Sequence, residues 1–214
     1  MDYETRKVFF SRKNTASLVN ADGKRLVLKK FDMGDPDVEW KILSDGHAKG
    51  IKIPRPILKE GRQILMEYLD GQPLANRESL EREECSGLAK WLHDFHNAFP
   101  GMIRGDAMLR NFIETKEGIY GIDFEESVPG DPLEDVARLC ASVLTEDPVF
   151  TRQKISSVKH IIADYGHLSG SNINVDCVDL IMKCLFDIYR IRRDIRGKRS
   201  DNVLQWIPFC KTII

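Results

Sequence analysis

Residues 102–126 constrain the fold of this chain more than any other stretch of the sequence. Alternating apolar residues on either side of a short turn at 116–118 predict a β-hairpin. If the turn is centred near Glu117, Asn111 and Asp123 are equidistant from it, and the strands bring an amide and a carboxylate together. Asp106 lies on the loop just before the hairpin. Such oxygen ligands suit Mg²⁺, which takes few ligands from protein and others from substrate phosphates, so the sequence predicts a magnesium site at Asn111 and Asp123.

The pattern R-G-D-x-x-x-x-N at 104–111, followed by I-D-F at 122–124, resembles the catalytic loop and metal motif of the protein-kinase-like superfamily. It is similar to the H-G-D-x-x-x-x-N form of aminoglycoside and choline phosphotransferases and of RIO-type kinases. Arg104 stands where that form has His, and Glu125 stands where D-F-G has Gly. The resemblance implies an α+β fold with two lobes. A small antiparallel β lobe with one helix would span 1–69, and a mainly helical lobe would span 70–214.

Length, net charge and cysteine content limit the classes of protein to which this chain can belong. A chain of 214 residues can bury a substantial core, and a net charge of -1 gives no global field for nucleic acid or membrane. Five cysteines without a C-x-x-C pair, and no apparent secretory signal, predict reduced thiols in a cytoplasmic protein. No apolar run approaches the roughly 20 residues that span a bilayer, so no membrane span is expected.

The first strands are predicted at 7–10, 17–19 and 25–31, with a polar loop at 11–16. That loop has no G-x-G-x-x-G, the sequence with which kinases cover the ATP phosphates. The resemblance to phosphotransferases implies that backbone amides of Ser11, Asn14 and Thr15 take this place. The alternative is an ordinary solvated hairpin loop.

Lys29 is predicted to line a site, because strand alternation puts it on the apolar face and Lys30 on the other. The alternative is an edge strand with two exposed lysines. Asp35 before Pro36 predicts the start of a helix that carries Glu39. The resemblance implies that Lys29 holds the α and β phosphates of ATP and that Glu39 pairs with it; otherwise Glu39 is a surface acid.

A strand at 63–69 resembles the strand that ends in the hinge between the lobes, where backbone groups meet adenine. The matching positions are Glu67, Tyr68 and Leu69. Apolar residues at helical spacing then predict a helix over 76–99. His93 and His96 on this helix lack a third ligand and are expected to be packing or surface residues.

Only seven residues separate Asp123 from Asp131, which leaves no room for a regulated activation segment. Asp131 and Asp135 are interpreted as a helix cap and a first-turn acid. Helices are predicted over 133–144, 151–165 and 175–196, and an apolar tail at 206–214 is expected to pack on them. The positive charges from Arg190 to Arg199 are expected to complement the dipole at the C-terminus of the last helix. Alternatively, this segment docks nucleic acid or protein.

The resemblance implies an ATP-dependent phosphotransferase that moves the γ-phosphate to a hydroxyl, with a small molecule as the expected acceptor. Asp106 would accept the proton of that hydroxyl, and ATP and Mg²⁺ would be the cofactors. Glu125 either adds a carboxylate near the metal or faces solvent, and Arg104 is expected to buttress the loop by an ion pair. The alternative functions are an atypical protein Ser/Thr kinase and an inactive nucleotide-binding module within a complex.

Overall fold

The N-terminal part of the chain is an antiparallel sheet with one helix packed against it. The structure, a computed structural model, describes residues 4–10, 13–171, 173 and 175–196. The first elements are β1 Glu4–Phe10, β2 Asn14–Ala21, β3 Lys24–Phe31, α1 Pro36–Ala48, β4 Pro56–Glu60 and β5 Gln63–Glu67. The strands lie in the order β1-β2-β3-β5-β4, and each neighbouring pair is antiparallel. Helix α1 packs against β4 and β5.

The remainder of the described chain is mainly helical. Its helices are α2 Arg82–Ala98, α3 Pro132–Thr145, α4 Arg152–Ser169 and α5 Val175–Arg196. Helix α2 packs on α4, and α3 packs on both α4 and α5. Short strands lie around them: β6 Gly71–Pro73, β7 Met102–Ile103, β8 Phe112–Thr115, β9 Gly118–Gly121 and β10 Val128–Pro129. They form a three-stranded sheet in the order β6-β8-β9 and a pair of β10 with β7.

This architecture confirms the predicted α+β fold with a β-rich N-terminal lobe and a helical C-terminal lobe. The start of α1 is also as predicted, because the Asp35 side chain accepts from the Asp37 N–H at 2.9 Å and Pro36 is the first helical residue. The predicted hairpin is β8–β9, paired from Phe112 with Gly121 to Thr115 with Gly118.

Several predicted boundaries are wrong. Strand β2 begins at Asn14, so 14–16 belong to the sheet and not to a polar loop. Helix α2 begins at Arg82 and not near 76, because Glu81 and Glu84 form a reciprocal capping box there. Strand β5 ends at Glu67 and not at 69, while α4 continues past 165 until Gly170 ends it in the left-handed conformation, with φ 66°.

One large apolar core joins the sheet to the helices. Strands β3 and β5 contribute Phe31 and Ile64, helix α2 contributes Leu88 and Phe95, and α3 contributes Leu139. Burial of apolar surface at about 25 cal/mol per Å² stabilises this arrangement. The core therefore fixes β3 and α1 relative to the β8–β9 hairpin, which is the relation that matters for the site.

Other sequence predictions fall partly outside the described residues. Cys85, Cys140, Cys177 and Cys184 are buried free thiols, whereas Cys210 and the tail at 206–214 are not described. Of the proposed docking segment from Arg190 to Arg199, only the Arg190 side chain is described, and it is exposed. Among the described residues, no helix combines the length and the apolar character needed to cross a bilayer.

Candidate active site

The ammonium group of Lys29 is the centre of the candidate site. Strand β3 lies between β2 and β5, so Lys29 is on a central strand and is only 8% exposed, while Lys30 faces solvent. The Lys29 Nζ atom is 2.6 Å from Glu39 Oε2, in the first turn of α1. The structure therefore brings the strand lysine and the helix acid together, and the edge-strand alternative for Lys29 is wrong.

Two carboxylates from the segment after β9 meet the same ammonium group. Asp123 Oδ1 is 2.5 Å from Lys29 Nζ, and Glu125 Oε2 is 3.3 Å from it. Asp123 has a φ of 66°, a left-handed conformation that is uncommon for a residue with a side chain and that clusters at functional sites. The side chain of Glu125 is only 11% exposed, so the solvent-facing alternative is wrong, and a role near a metal stays a prediction.

Burial and charge shift the pKa values of the central pair. Burial alone would lower the pKa of Lys29, but the carboxylates of Glu39 and Asp123 outweigh it and raise that pKa. Burial raises the pKa of Glu39 to about 7, although the Lys29 ammonium opposes the shift. The ammonium thus stays charged at neutral pH, while the charge of Glu39 depends on pH near neutrality.

Asp106 and Asn111 lie together on the loop that precedes the hairpin. The Asn111 Nδ2 group donates to Asp106 O and to Asp106 Oδ2, both at 2.9 Å. Arg110 Nη2 lies 2.7 Å from the same Oδ2 atom. Asp106 is thereby oriented by two neighbours on its own loop, and the resemblance had indicated neither contact.

The register of the hairpin differs by one residue from the prediction. Because Phe112 pairs with Gly121, the residue opposite Asn111 is Ile122, and the Ile122 N–H donates to Asn111 O at 3.0 Å. Asp123 therefore lies two residues beyond the end of β9, and its backbone is in the left-handed conformation. The amide and the carboxylate are both at the open end of the hairpin, but they are not cross-strand partners.

The donor set near Lys29 fits a hard divalent cation. One carboxylate oxygen each from Glu39, Asp123 and Glu125 lie within 4.8 Å of one another. Asn111 uses its amide nitrogen on Asp106, which leaves its amide oxygen as the group available to a cation. Oxygen ligands of this kind suit Mg²⁺. The residues present are therefore chemically suited to the predicted cofactor.

Side chains at the start of β2 and just before it contact the two acids that follow Phe124. Asn14 donates from Nδ2 to Glu125 and accepts at Oδ1 from the Asp32 N–H at 3.2 Å. Thr15 donates to Asp32 Oδ2 at 3.3 Å. Lys13 pairs with Glu126. Asn14 and Thr15 belong to β2 and not to the predicted loop, but a contact of their backbone amides with phosphate stays a prediction, and Ser11 lies outside the described residues.

The hinge positions follow β5 as the resemblance implied, although only Glu67 belongs to the strand. The Glu67 N–H donates to the Arg55 carbonyl at 3.0 Å, so this group is already engaged. The Tyr68 ring lies under the Arg25 guanidinium, 4.6 Å from its centroid. An adenine contact by the backbone of Glu67, Tyr68 and Leu69 stays a prediction.

From the first turn of α3, Asp135 holds the start of the loop that carries Asp106. It is fully buried, and it accepts from the Arg104 N–H at 2.7 Å and from the Gly105 N–H at 3.1 Å. His96 Nε2 is 3.1 Å from the same carboxylate, and His96 Nδ1 is 2.8 Å from the Tyr165 hydroxyl. Asp135 thus has a structural role, as predicted, and His96 is a packing residue.

Among the described residues, Arg104 has no ion-pair partner, in contrast to the expectation from the sequence. Its side chain is fully buried, and it donates to main-chain carbonyls around the metal motif, including Ile122 O at 2.5 Å. Burial lowers the pKa of Arg104 from its ordinary value. Sequence reasoning missed this arrangement because the partners are backbone atoms, which no side-chain pattern reveals.

Comparisons with known proteins identify the fold. A family model described as the RIO domain matches residues 19–159, more than half of the chain. A spectinomycin phosphotransferase in complex with ADP and spectinomycin aligns with a TM-score of 0.69 and 13% identity, covering 99% of this chain and 90% of that one. No curated protein sequence matches the chain.

Two further solved structures have the same fold. An ethanolamine kinase of Plasmodium vivax aligns with a TM-score of 0.62 and 13% identity, over 99% of this chain and 81% of its own. The Rio2 kinase of Chaetomium thermophilum, in an ADP/Mg²⁺-phosphoaspartate complex, aligns with a TM-score of 0.57 and 14% identity, over 90% and 72%. These neighbours establish a protein-kinase-like fold.

Proposed function

This chain belongs to the RIO domain family, and from that premise we propose that it is an ATP- and Mg²⁺-dependent phosphotransferase with a hydroxyl acceptor. One observation carries the proposal. The Lys29 ammonium joins Glu39 of α1, at 2.6 Å, to Asp123 of the metal motif, at 2.5 Å. Strand β3, helix α1 and the segment after β9 therefore meet at the buried ammonium group of Lys29. Their order along the chain and their residue types are those that phosphoryl transfer requires.

We propose a role for each residue of the site from its position and its chemistry. Lys29, held by Glu39, would steady the α and β phosphates of ATP. Asn111 and Asp123 would hold Mg²⁺, which when bound neutralises charge on the phosphate oxygens. Asp106 would orient the acceptor hydroxyl and accept its proton, because Asn111 and Arg110 already fix its carboxylate.

A small molecule is the acceptor that we favour. Strand β10 and helix α3 follow Asp123 so closely that no extended segment is available to dock a peptide. The spectinomycin phosphotransferase and the ethanolamine kinase, by their names, act on small molecules. A protein acceptor is the second candidate, because the RIO family match and the Rio2 neighbour favour it.

We also infer that the two lobes are residues 1–69 and 70–214, and that the protein is cytoplasmic. The first inference is supported by the end of β5 at Glu67 and by the helical character of the described chain beyond it. The second is supported by the four buried thiols.

The test is a transfer assay with labelled ATP and Mg²⁺ against sugars, amino alcohols and protein acceptors. Asp106→Asn is compared with Asp94→Asn, a partly exposed residue on α2 that pairs with Lys90. We expect an acceptor-dependent product with wild type and Asp94→Asn, and loss of about 10²-fold or more with Asp106→Asn. Equal turnover by all three proteins would remove Asp106 as the base. Nucleotide binding without transfer to any acceptor would favour an inactive module.

A further inference from the structure

Three aromatic rings surround the guanidinium group of Arg104, next to the metal motif at 122–124. Its guanidinium carbon is 4.8 Å from the ring centroid of Phe112, 5.3 Å from that of Phe124 and 5.4 Å from that of Trp91. These rings come from β8, from the residue after Asp123 and from α2. Ring faces attract a cation, so the three rings help to stabilise a charge that water cannot reach.

The remaining stabilisation comes from main-chain carbonyls. Arg104 Nη2 donates to Ile122 O at 2.5 Å and to Asp123 O at 3.2 Å, while Nη1 lies 3.5 Å from Asn111 O. Within the described part of the chain, no carboxylate forms an ion pair with the guanidinium, and the buried Nε atom has no hydrogen-bond partner. A buried charge with such partners needs a reason other than stability alone.

The identity of the three carbonyls supplies that reason. Asn111 and Asp123 are the two proposed metal residues, and Ile122 pairs with Asn111 across the hairpin. One rigid planar group thus touches the backbone of both metal residues. It also donates to the carbonyl of Asp123 itself, the residue held at a φ of 66°. Arg104 is in turn anchored through its own N–H to Asp135 of α3.

We infer that Arg104 is a positioning residue that sets the spacing of Asn111 and Asp123 for a divalent cation, in place of the His of the H-G-D pattern. The inference rests on the proposed function, because it assigns a residue to the same metal site. Its mechanism is geometric. The planar guanidinium reaches the three carbonyls from two separate nitrogens, whereas the three donors of a lysine ammonium all lie on one nitrogen.

The experiment measures ADP binding by calorimetry at increasing Mg²⁺ concentrations, in wild type, Arg104→Lys and Arg104→Gln. Lys154→Met is the matched control, because Lys154 is also a buried cation that donates to a carbonyl, Glu146 O, but it lies in α4. We expect both Arg104 variants to need about 10- to 100-fold more Mg²⁺ for half-saturation, as for residues that orient metal ligands. Their ADP affinity in EDTA, and the Mg²⁺ requirement of Lys154→Met, should match wild type.

The outcomes separate this inference from the proposed function. If the affinity of wild type for ADP does not change with Mg²⁺, both the proposed function and the inference are contradicted. Wild-type binding that requires Mg²⁺, with an unchanged requirement in Arg104→Lys, overturns the inference alone. Should the variants fail to fold, the guanidinium N–H signals of wild type are followed by NMR. Signals that shift when Mg²⁺ is added to the ADP complex support the inference, and signals that do not shift overturn it.

Discussion

Lys29 is the residue on which the contacts of the site converge. Its ammonium group faces the carboxylates of Glu39, Asp123 and Glu125, so one buried cation stands against three acids. Such a balance favours a second positive charge nearby, and a divalent metal ion would supply one. The pairing also makes the charge of Glu39 a determinant of how Lys29 is held.

Nucleotide binding should depend on pH through Glu39. Because the pKa of Glu39 is raised to about 7, the carboxyl loses its proton as the pH rises through neutrality and only then pairs fully with Lys29. We expect kcat/KM for ATP to rise between about pH 6 and pH 8 in wild type. Glu39→Gln, which cannot ionise, should lower kcat/KM and flatten this profile. A variant profile with the same slope as wild type would assign the titration to another group.

The raised pKa of Glu39 also determines how the free energy of unfolding changes with pH. Between its ordinary pKa of 4.5 and about 7, Glu39 is protonated in the folded protein and ionised in the unfolded chain. The folded state therefore binds more protons in this window, and the Glu39 contribution to the free energy of unfolding falls as the pH rises. Denaturant unfolding at several pH values should show a smaller fall in Glu39→Gln than in wild type.

At the scale of elements, the first turn of α3 contacts the loop that carries Asp106. Asp131 caps the helix from an exposed position by accepting from the Leu133 N–H at 2.9 Å. Asp135, one turn later, is fully buried and accepts from the N–H groups of Arg104 and Gly105. These two acids at the start of one helix thus have different roles, and replacing them should lower the free energy of unfolding by different amounts.

Asp135→Ala should destabilise the protein more than Asp131→Ala. The first change leaves the buried Arg104 N–H without an acceptor, at about 1–3 kcal/mol, and also the part-buried Gly105 N–H. The second removes an exposed cap worth about 1 kcal/mol. Urea unfolding monitored by circular dichroism measures both. Equal losses would mean that the loop finds another acceptor and that Asp135 does not hold it.

The β8–β9 hairpin is positioned by its packing on Trp91 of α2. A Cβ atom at Gly121 would lie 2.2 Å from the Trp91 ring, so the close approach of strand and helix requires glycine. The Trp91 Nε1–H also donates to Lys52 O at 2.7 Å, which ties the ring to the segment before β4. The end of the hairpin that leads to Asp123 is therefore set by a tryptophan on a different element.

Gly121→Ala should disturb this packing. We expect a loss of about 1–3 kcal/mol in the free energy of unfolding, as for other overpacked cores, with weaker Mg²⁺-dependent nucleotide binding. Lys116→Ala, at the exposed turn of the same hairpin, is the control and should behave as wild type in both measurements. An unchanged Gly121→Ala protein would show that Trp91 can move aside without consequence.

At the scale of the whole molecule, the sequence predicted best what strong local signals specify. The family resemblance indicates Lys29, Glu39 and Asp123 by residue type and order, and the structure brings them together. The capping pair Asp35 and Pro36 placed α1 correctly, because its determinants are adjacent in the chain. The site roles themselves stay predictions until they are measured.

Features that depend on tertiary contacts were not predictable. The contact of Asn14 with Glu125 joins residues far apart in sequence, and the partners of Arg104 are carbonyls. The one-residue shift of the hairpin arises because its turn is centred between residues 116 and 117, a difference that alternating apolar residues do not resolve. Helix α2 begins late because a capping box outweighs the apolar pattern before it.

The central claim is that Lys29, Asn111 and Asp123 form a nucleotide–metal site between the sheet and the helical lobe. Calorimetric titration of ADP with Mg²⁺ and with EDTA, in wild type and Asp123→Asn, tests it most directly. We predict that Mg²⁺ tightens ADP binding to wild type by tenfold or more, in line with the roughly 10–100-fold effects seen at metal sites, and leaves Asp123→Asn nearly unaffected. Mg²⁺-independent binding in wild type, or an undiminished Mg²⁺ effect in Asp123→Asn, would contradict the account.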